Sequence, residues 1–353
     1  MSEKHELLDG TKRVKTKDLK QYSKKGLNWI VTSDMTDSTR KAIELYTQNK
    51  KIEHLVDSFV TDFLKGHITP ENQIGGGRIK ILPNGKKLAR GGFSIFAKNL
   101  KFNNNNLTEW DVSYDNVSGL KTYLYNEDKL HLEQNRKAKL VDKFSAKYTT
   151  ILNELEQDIK RFKTIEYLAL YALLITKIRV GHLEYYKHLG HKGLTTLQKK
   201  DITIKRNAIN FKFIGKDGIP QNVTKDFPEY YIKLFKNILL KKKNNDFVFA
   251  NSNGFPLHSD VFSKILYKYT GEHFYPHIIR SHYADTESKN FLNKHKKSSK
   301  QEVLDEFKLI AAELGHKKFN KKKNDWELDY KVTVANYIRP KFSEKMKELY
   351  ETK

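Results

Sequence analysis

Apolar residues recur along the chain with two different periods, and each change of period marks an element. From Asp37 to Leu64 the spacing is helical (Ile52, Leu55, Val56, Phe59, Val60 and Phe63), with Gly66 as the stop. Between 70 and 126 the pattern breaks into short alternating runs, among them WDVSY and LKTYLY, divided by Pro-Asn-Gly and Gly-Gly. Such runs predict a small antiparallel sheet. A second amphipathic helix is predicted over 137–162, with Leu140, Val141, Phe144, Tyr148, Ile151, Leu152, Leu155 and Ile159 on one side. Residues 164–178 (TIEYLALYALLITKI) are the most apolar run of a very polar chain and predict a buried helix. Strands are expected at 201–204 and 209–213, then a turn at Gly215-Lys216-Asp217-Gly218, then helices near 226–241, 259–270, 276–292 and 300–314.

These elements predict an α+β protein with a mostly helical C-terminal domain that carries one small antiparallel sheet. A smaller domain of mixed helix and strand precedes it. Residues 1–30, basic and aperiodic (TKRVKTKDLKQYSKK), are expected as a tail or a DNA-contacting arm, 31–135 as the N-terminal domain and 136–353 as the C-terminal one. The stretch from Lys317 to Asp329, KKFNKKKNDWELD, reads as a charged linker within 317–332.

Charge narrows the function. The chain has 66 Lys plus Arg against 42 Asp plus Glu, a net charge of +24, which favours nucleic acid or an anionic membrane as partner. No apolar run is long enough for a bilayer and the first residues have no signal-peptide core, so nucleic acid is preferred and an intracellular, DNA-associated location is expected. The absence of cysteine excludes disulfides, thiolate catalysis and Cys-ligated zinc. Gly75-Gly76-Gly77 lacks the Gly-Lys-Ser/Thr ending of a phosphate-binding loop.

The candidate chemistry lies in the second half. Arg179 ends the apolar helix, and an arginine there should emerge beside an anion. Lys216 sits in a glycine-flanked turn, His277 and Arg280 share one helix face, His316 follows Gly315, and Tyr337 comes late in the chain. Phosphodiester displacement needs an in-line nucleophile, positive charge on the non-bridging oxygens and a proton for the leaving oxygen. Closely spaced carboxylates of a metal site are missing from this sequence, whereas cations recur; arginines clamping a phosphate suit that pattern. Taken singly, each of these residues is more simply a surface ion, a turn residue or a packed ring.

Together they resemble a family. Arg179-Val180-Gly181 with Gly193-Leu194-Thr195-Thr196-Leu197, Phe213-Ile214-Gly215-Lys216-Asp217-Gly218, His277-Ile278-Ile279-Arg280, Ala312-Glu313-Leu314-Gly315-His316 and Asn336-Tyr337-Ile338-Arg339-Pro340 resemble the catalytic domain of type IB DNA topoisomerases, whose fold tyrosine recombinases share. The resemblance covers about residues 165–340. It implies Tyr337 as nucleophile, Arg179, Arg280 and His316 as stabilisers of the transition state, and Lys216 as general acid. It also implies an N-terminal domain that clamps double-stranded DNA, and supercoil relaxation through a 3′-phosphotyrosyl intermediate without ATP, metal or other cofactor, by a protein expected to act as a monomer. His277 stands where these topoisomerases generally have lysine and recombinases favour histidine, which leaves a site-specific recombinase as the alternative. Tyr330, close to Glu327 and Asp329, is the rival nucleophile. A DNA-binding protein without catalysis is a third reading, opposed by the full set of candidates.

Overall fold

The structure, a computed structural model, describes residues 7–48, 53–103, 109–117 and 119–351. The chain divides into two compact units, Met1–Arg136 and Lys137–Lys353. Nearly half of the residues are helical, and the strands form small antiparallel sheets. Among the described residues no helix is long and apolar enough to cross a membrane.

In the N-terminal unit, β1 (Lys12–Val14), β2 (Gln21–Lys25) and β3 (Asn28–Val31) pair as antiparallel neighbours. The expected tail is therefore a sheet from Lys12 onward. Val14 and Gln21 are buried beneath its lysines, and the buried cation Arg13 is answered by Asp57 at 2.5 Å. Helix α1 (Asp37–Gln48) is shorter than its predicted span; Ile52 lies outside the described residues. Beyond a single tight turn at Glu53–Leu55, the carboxylate of Asp57 accepts the backbone N–H groups of Phe59 and Val60. That local bond competes with helix, and Phe59 is left exposed despite its helical spacing.

Strands β4 (His67–Ile68) and β5 (Ile74–Gly75) complete the first sheet in the order β3-β2-β1-β4-β5. The glycine run has a steric explanation. Side chains on Gly75 or Gly76 would run into the His67 ring, and one on Gly77 into the backbone of Lys65 and Gly66. A second sheet, β6 (Lys98–Phe102), β7 (Val112–Asp115) and β8 (Lys121–Leu124), meets the expectation for this region. Helix α2 (Glu127–Phe162) starts ten residues before its predicted limit, because the side chain of Asn126 caps the N–H of Lys129.

The C-terminal unit packs α2 from Lys137 onward with α3 (Ile165–Thr176), α4 (Leu183–Leu189) and the sheet β9 (Ile202–Lys205), β10 (Ala208–Ile214), β11 (Pro220–Asp226), in which β10 is central. The apolar run forms α3 as expected, and eight of its twelve residues are buried. Helices α5 (Glu229–Leu240), α6 (Ser259–Thr270), α7 (Ile278–Lys294) and α8 (Lys300–Glu313) follow close to their predicted limits.

The expected linker is a hairpin, β12 (Lys317–Asn320) and β13 (Asp325–Leu328). Phe319 faces Trp326 across the strands, with ring centres 5.5 Å apart, and Lys318 faces Glu327. Cross-strand pairs of this kind hold a ladder that linear charge density conceals. Two helices the apolar pattern did not announce close the chain, α9 (Tyr330–Asn336) and α10 (Pro340–Glu351).

Candidate active site

The turn that carries Arg179 is built by two glycines. Helix α3 ends where Lys177 takes a left-handed conformation (φ 53°) and its N–H caps the carbonyl of Leu173. The chain then runs against residues 193–195: Leu194 N–H donates to Arg179 O at 2.8 Å and Thr195 N–H to Val180 O at 2.7 Å. A Cβ on Gly193 would lie 2.5 Å from both Arg179 O and Gly181 N, and Gly181 itself has φ +94°. Only glycine lets these two backbones touch. The Oγ1 of Thr196 accepts the Gly193 N–H at 2.9 Å, while Leu194 and Leu197 are wholly buried. Half-buried Arg179 is thus fixed through its backbone.

Arg280, in the first turn of α7, is the hub. It is 4% exposed and, among the described residues, has no carboxylate partner. Its guanidinium donates to Lys177 O at the end of α3, to Leu314 O at 2.7 Å beyond α8, and to Nε2 of His316 at 2.9 Å. Its Nε is buried without a partner. Burial first, and then the neighbouring Arg179, lower its pKa to about 10 against the opposing pull of Tyr337, so it stays a cation at neutral pH.

Because guanidinium can only donate, Nε2 of His316 must accept. The proton of the neutral ring therefore sits on Nδ1, which meets Thr333 Oγ1 at 2.8 Å. Burial, then Arg280 and Arg179, hold His316 down to about 3. The turn before it needs Gly315 (φ +65°), since a side chain there would strike Gln221, whose amide donates to Gly315 O at 2.9 Å.

Tyr337 follows α9, its N–H bonded to Thr333 O at 2.9 Å, and is 5% exposed. Around its ring stand the His316 ring at 4.8 Å, the Arg280 guanidinium at 5.1 Å, the His277 ring at 5.1 Å and the Lys137 ammonium at 5.5 Å. Burial alone would raise the phenol, yet Arg280, Arg179 and Lys137 outweigh it and the pKa falls below 10. His277 lies exposed at the start of α7. The surrounding protein first, then Arg280, Lys137, Arg179 and Lys216, hold it to about 3.

Lys216 rides on the exposed β10–β11 turn, where Asp217 has φ 62°. It lines two adjoining cavities with Arg179 and Arg280; His316 borders one and His277 the other. The structure thus brings His277, Arg280, His316 and Tyr337 into contact and sets Arg179 and Lys216 on the adjoining walls. Tyr330 is placed differently, with its ring stacked on Phe307 at 6.3 Å.

Two further residues support the site. Thr333 binds both the His316 ring and the Tyr337 backbone. Arg339, two residues past Tyr337, donates to both oxygens of Asp142 at 2.7 and 2.6 Å and to Asp285 at 2.5 Å. Asp285 also accepts the Arg339 N–H at 3.0 Å, which anchors the segment after the tyrosine to α7. Although Arg339 lies two residues from the candidate nucleophile, its guanidinium is engaged by carboxylates.

The model of the family described as eukaryotic DNA topoisomerase I, catalytic core, matches residues 126–349, well over half of the chain. No curated protein matches it. Among solved structures, XerH site-specific recombinase bound to its difH substrate before cleavage is similar at 16% identity and a TM-score of 0.32, over 53% of this chain and 50% of that one. The same recombinase on palindromic difH after cleavage is similar at 15% and 0.34, over 53% and 49%. The chain thus spans about half the length of those proteins. By the family match, which runs over every residue of the site just described, the chain belongs to the eukaryotic DNA topoisomerase I catalytic-core family.

Proposed function

We propose that the protein is a type IB DNA topoisomerase that relaxes supercoils by cutting and rejoining one strand of duplex DNA. The observation that carries this reading is a buried phenol, Tyr337, beside a buried guanidinium, Arg280, that has no carboxylate partner among the described residues. A phenol near pKa 10 is a weak nucleophile at neutral pH unless cations favour its anion. Tyr337 attacks phosphorus as its proton leaves to water, and the bond from phosphorus to the 5′ oxygen breaks. Lys216 on its exposed turn supplies a proton to that oxygen. Arg179 and Arg280 take the charge on the non-bridging oxygens, and His316 stays neutral between Arg280 and Thr333. The product is a 3′-phosphotyrosine and a free 5′ hydroxyl. Reversal restores the strand without an outside energy source, because the ester conserves the bond. The N-terminal unit, in this reading, clamps the duplex.

The test is incubation with supercoiled plasmid in EDTA without ATP, with trapping of covalent adducts. Relaxation with an adduct on Tyr337, lost in Tyr337→Phe while non-covalent binding persists, is the expected result. An absolute need for magnesium or an adduct elsewhere would overturn it. His277 favours a second reading, a tyrosine recombinase with the same chemistry. Relaxation of plasmids regardless of sequence, by a monomer, separates the two.

A further inference from the structure

Of the cations around Tyr337, one comes from no recognisable motif. Lys137 lies on α2, and its ammonium reaches across to the chain at the nucleophile: Nζ donates to Asn336 O at 2.7 Å and lies 5.5 Å from the centre of the Tyr337 ring. Lysines on amphipathic helices ordinarily lie in water or pair with a carboxylate. Lys137 forms no ion pair among the described residues; Asp285, the carboxylate acting on it, is already bound to Arg339. A partly buried ammonium without an ion-pair partner costs the fold stability, and charges kept at such a cost cluster at functional sites.

We propose that Lys137 is a positioning residue for Tyr337: by holding Asn336 and lying over the phenol ring, it seats the ring beside Arg280 and favours the phenolate.

The neighbours narrow the role. Tyr337 is faced by His277 and Arg280 from α7, by Arg179 after α3, by His316 after α8 and by Lys137 from α2. Both imidazoles are neutral at pH 7, which leaves Arg179, Arg280 and Lys137 as the charges felt by the phenol. The arginines are also the groups placed to hold the phosphate. Lys137, bonded to the peptide before the nucleophile, acts on the ring itself and matters in both directions: it favours attack by the phenolate and its departure during rejoining.

The inference rests on Tyr337 being the nucleophile, and the experiment separates the two claims. Titration of 13Cζ-labelled tyrosine by NMR in the DNA-free protein, with the signal identified by its loss in Tyr337→Phe, reads the phenol directly. Lys137→Met should titrate at least about threefold less readily, a shift of about half a pH unit upward, and Lys137→Arg should restore most of the change. In single-turnover cleavage of a short duplex at saturating protein, Lys137→Met should slow adduct formation about tenfold at pH 7, with the defect shrinking as pH rises and hydroxide makes the phenolate. An unchanged titration, or a rate loss equal at every pH, overturns the proposal. Failure of the unmutated protein to form any Tyr337 adduct overturns the proposed function, while the titration still decides whether Lys137 acts on the phenol.

Discussion

In the N-terminal unit, buried cations have carboxylates: Arg13 meets Asp57 at 2.5 Å and Lys129 meets Asp111 at 2.9 Å. In the C-terminal unit, Arg280 is buried as deeply and, among the described residues, meets two carbonyls, an imidazole nitrogen and the Tyr337 ring but no carboxylate. Arg339, on the far side of Tyr337, has two carboxylates. The contrast separates charges that hold the fold from charges held for something else. A desolvated cation with neutral acceptors costs several kcal/mol relative to water; in the proposed function a phosphate bound at Arg280 would offset that cost. Electrostatic readiness is thus stored in the absence of a carboxylate.

Breaking the unpaired side should have the largest effect. Arg280→Ala is expected to slow cleavage by on the order of 10³-fold, as loss of a preset donor to an oxyanion does, with far less change in non-covalent DNA affinity; single-turnover rates and filter binding check both. Removing a carboxylate from the paired side should instead act on stability. Asp285→Ala leaves Arg339 half-answered and should cost about 3 kcal/mol, measured by urea denaturation without DNA. If Arg280→Ala destabilised the protein as much as Asp285→Ala, the distinction between the two arginines would collapse.

Acid should sharpen the contrast. His316 is held near 3 in the fold against 6.5 when unfolded. Below 6.5 the unfolded chain takes up a proton that the folded protein refuses, so this stabilisation is complete above that pH and is lost as pH falls towards 3. The loss approaches about 1.4 kcal/mol per pH unit over that window. The urea midpoint of the unmutated protein should drop accordingly, and His316→Gln should flatten the slope. The smallest effect is reserved for Tyr330→Phe. Its ring rests on Phe307, so cleavage should change less than about twofold, and adduct mapping should still find Tyr337.

How much of this was legible depended on the distance over which each residue acts. Gly181 and Gly193, the turn at Lys216 and Gly315 before His316 are demands of local backbone, and they leave local motifs. The partners of Arg339 do not: Asp285 and Asp142 lie 54 and 197 positions away. Thr333 and Lys137 are ordinary residues on ordinary helices until the fold brings them to the tyrosine. The same logic explains the missed elements. The basic strands of 12–31 and the hairpin of 317–328 were concealed by lysines on their exposed sides, and 53–63 kept a helical period that the carboxylate of Asp57 diverts into a turn.

That hairpin has a practical consequence. Its base is closed by the Asp329 N–H on His316 O at 3.0 Å, and its tip, Lys321–Asn324, is exposed. The stem behaves as a splice point: added length at the tip enlarges the loop while the two ends stay pinned. A fluorophore or short peptide graft at Lys322 would therefore sit on an exposed loop of the C-terminal unit whose base is pinned at His316.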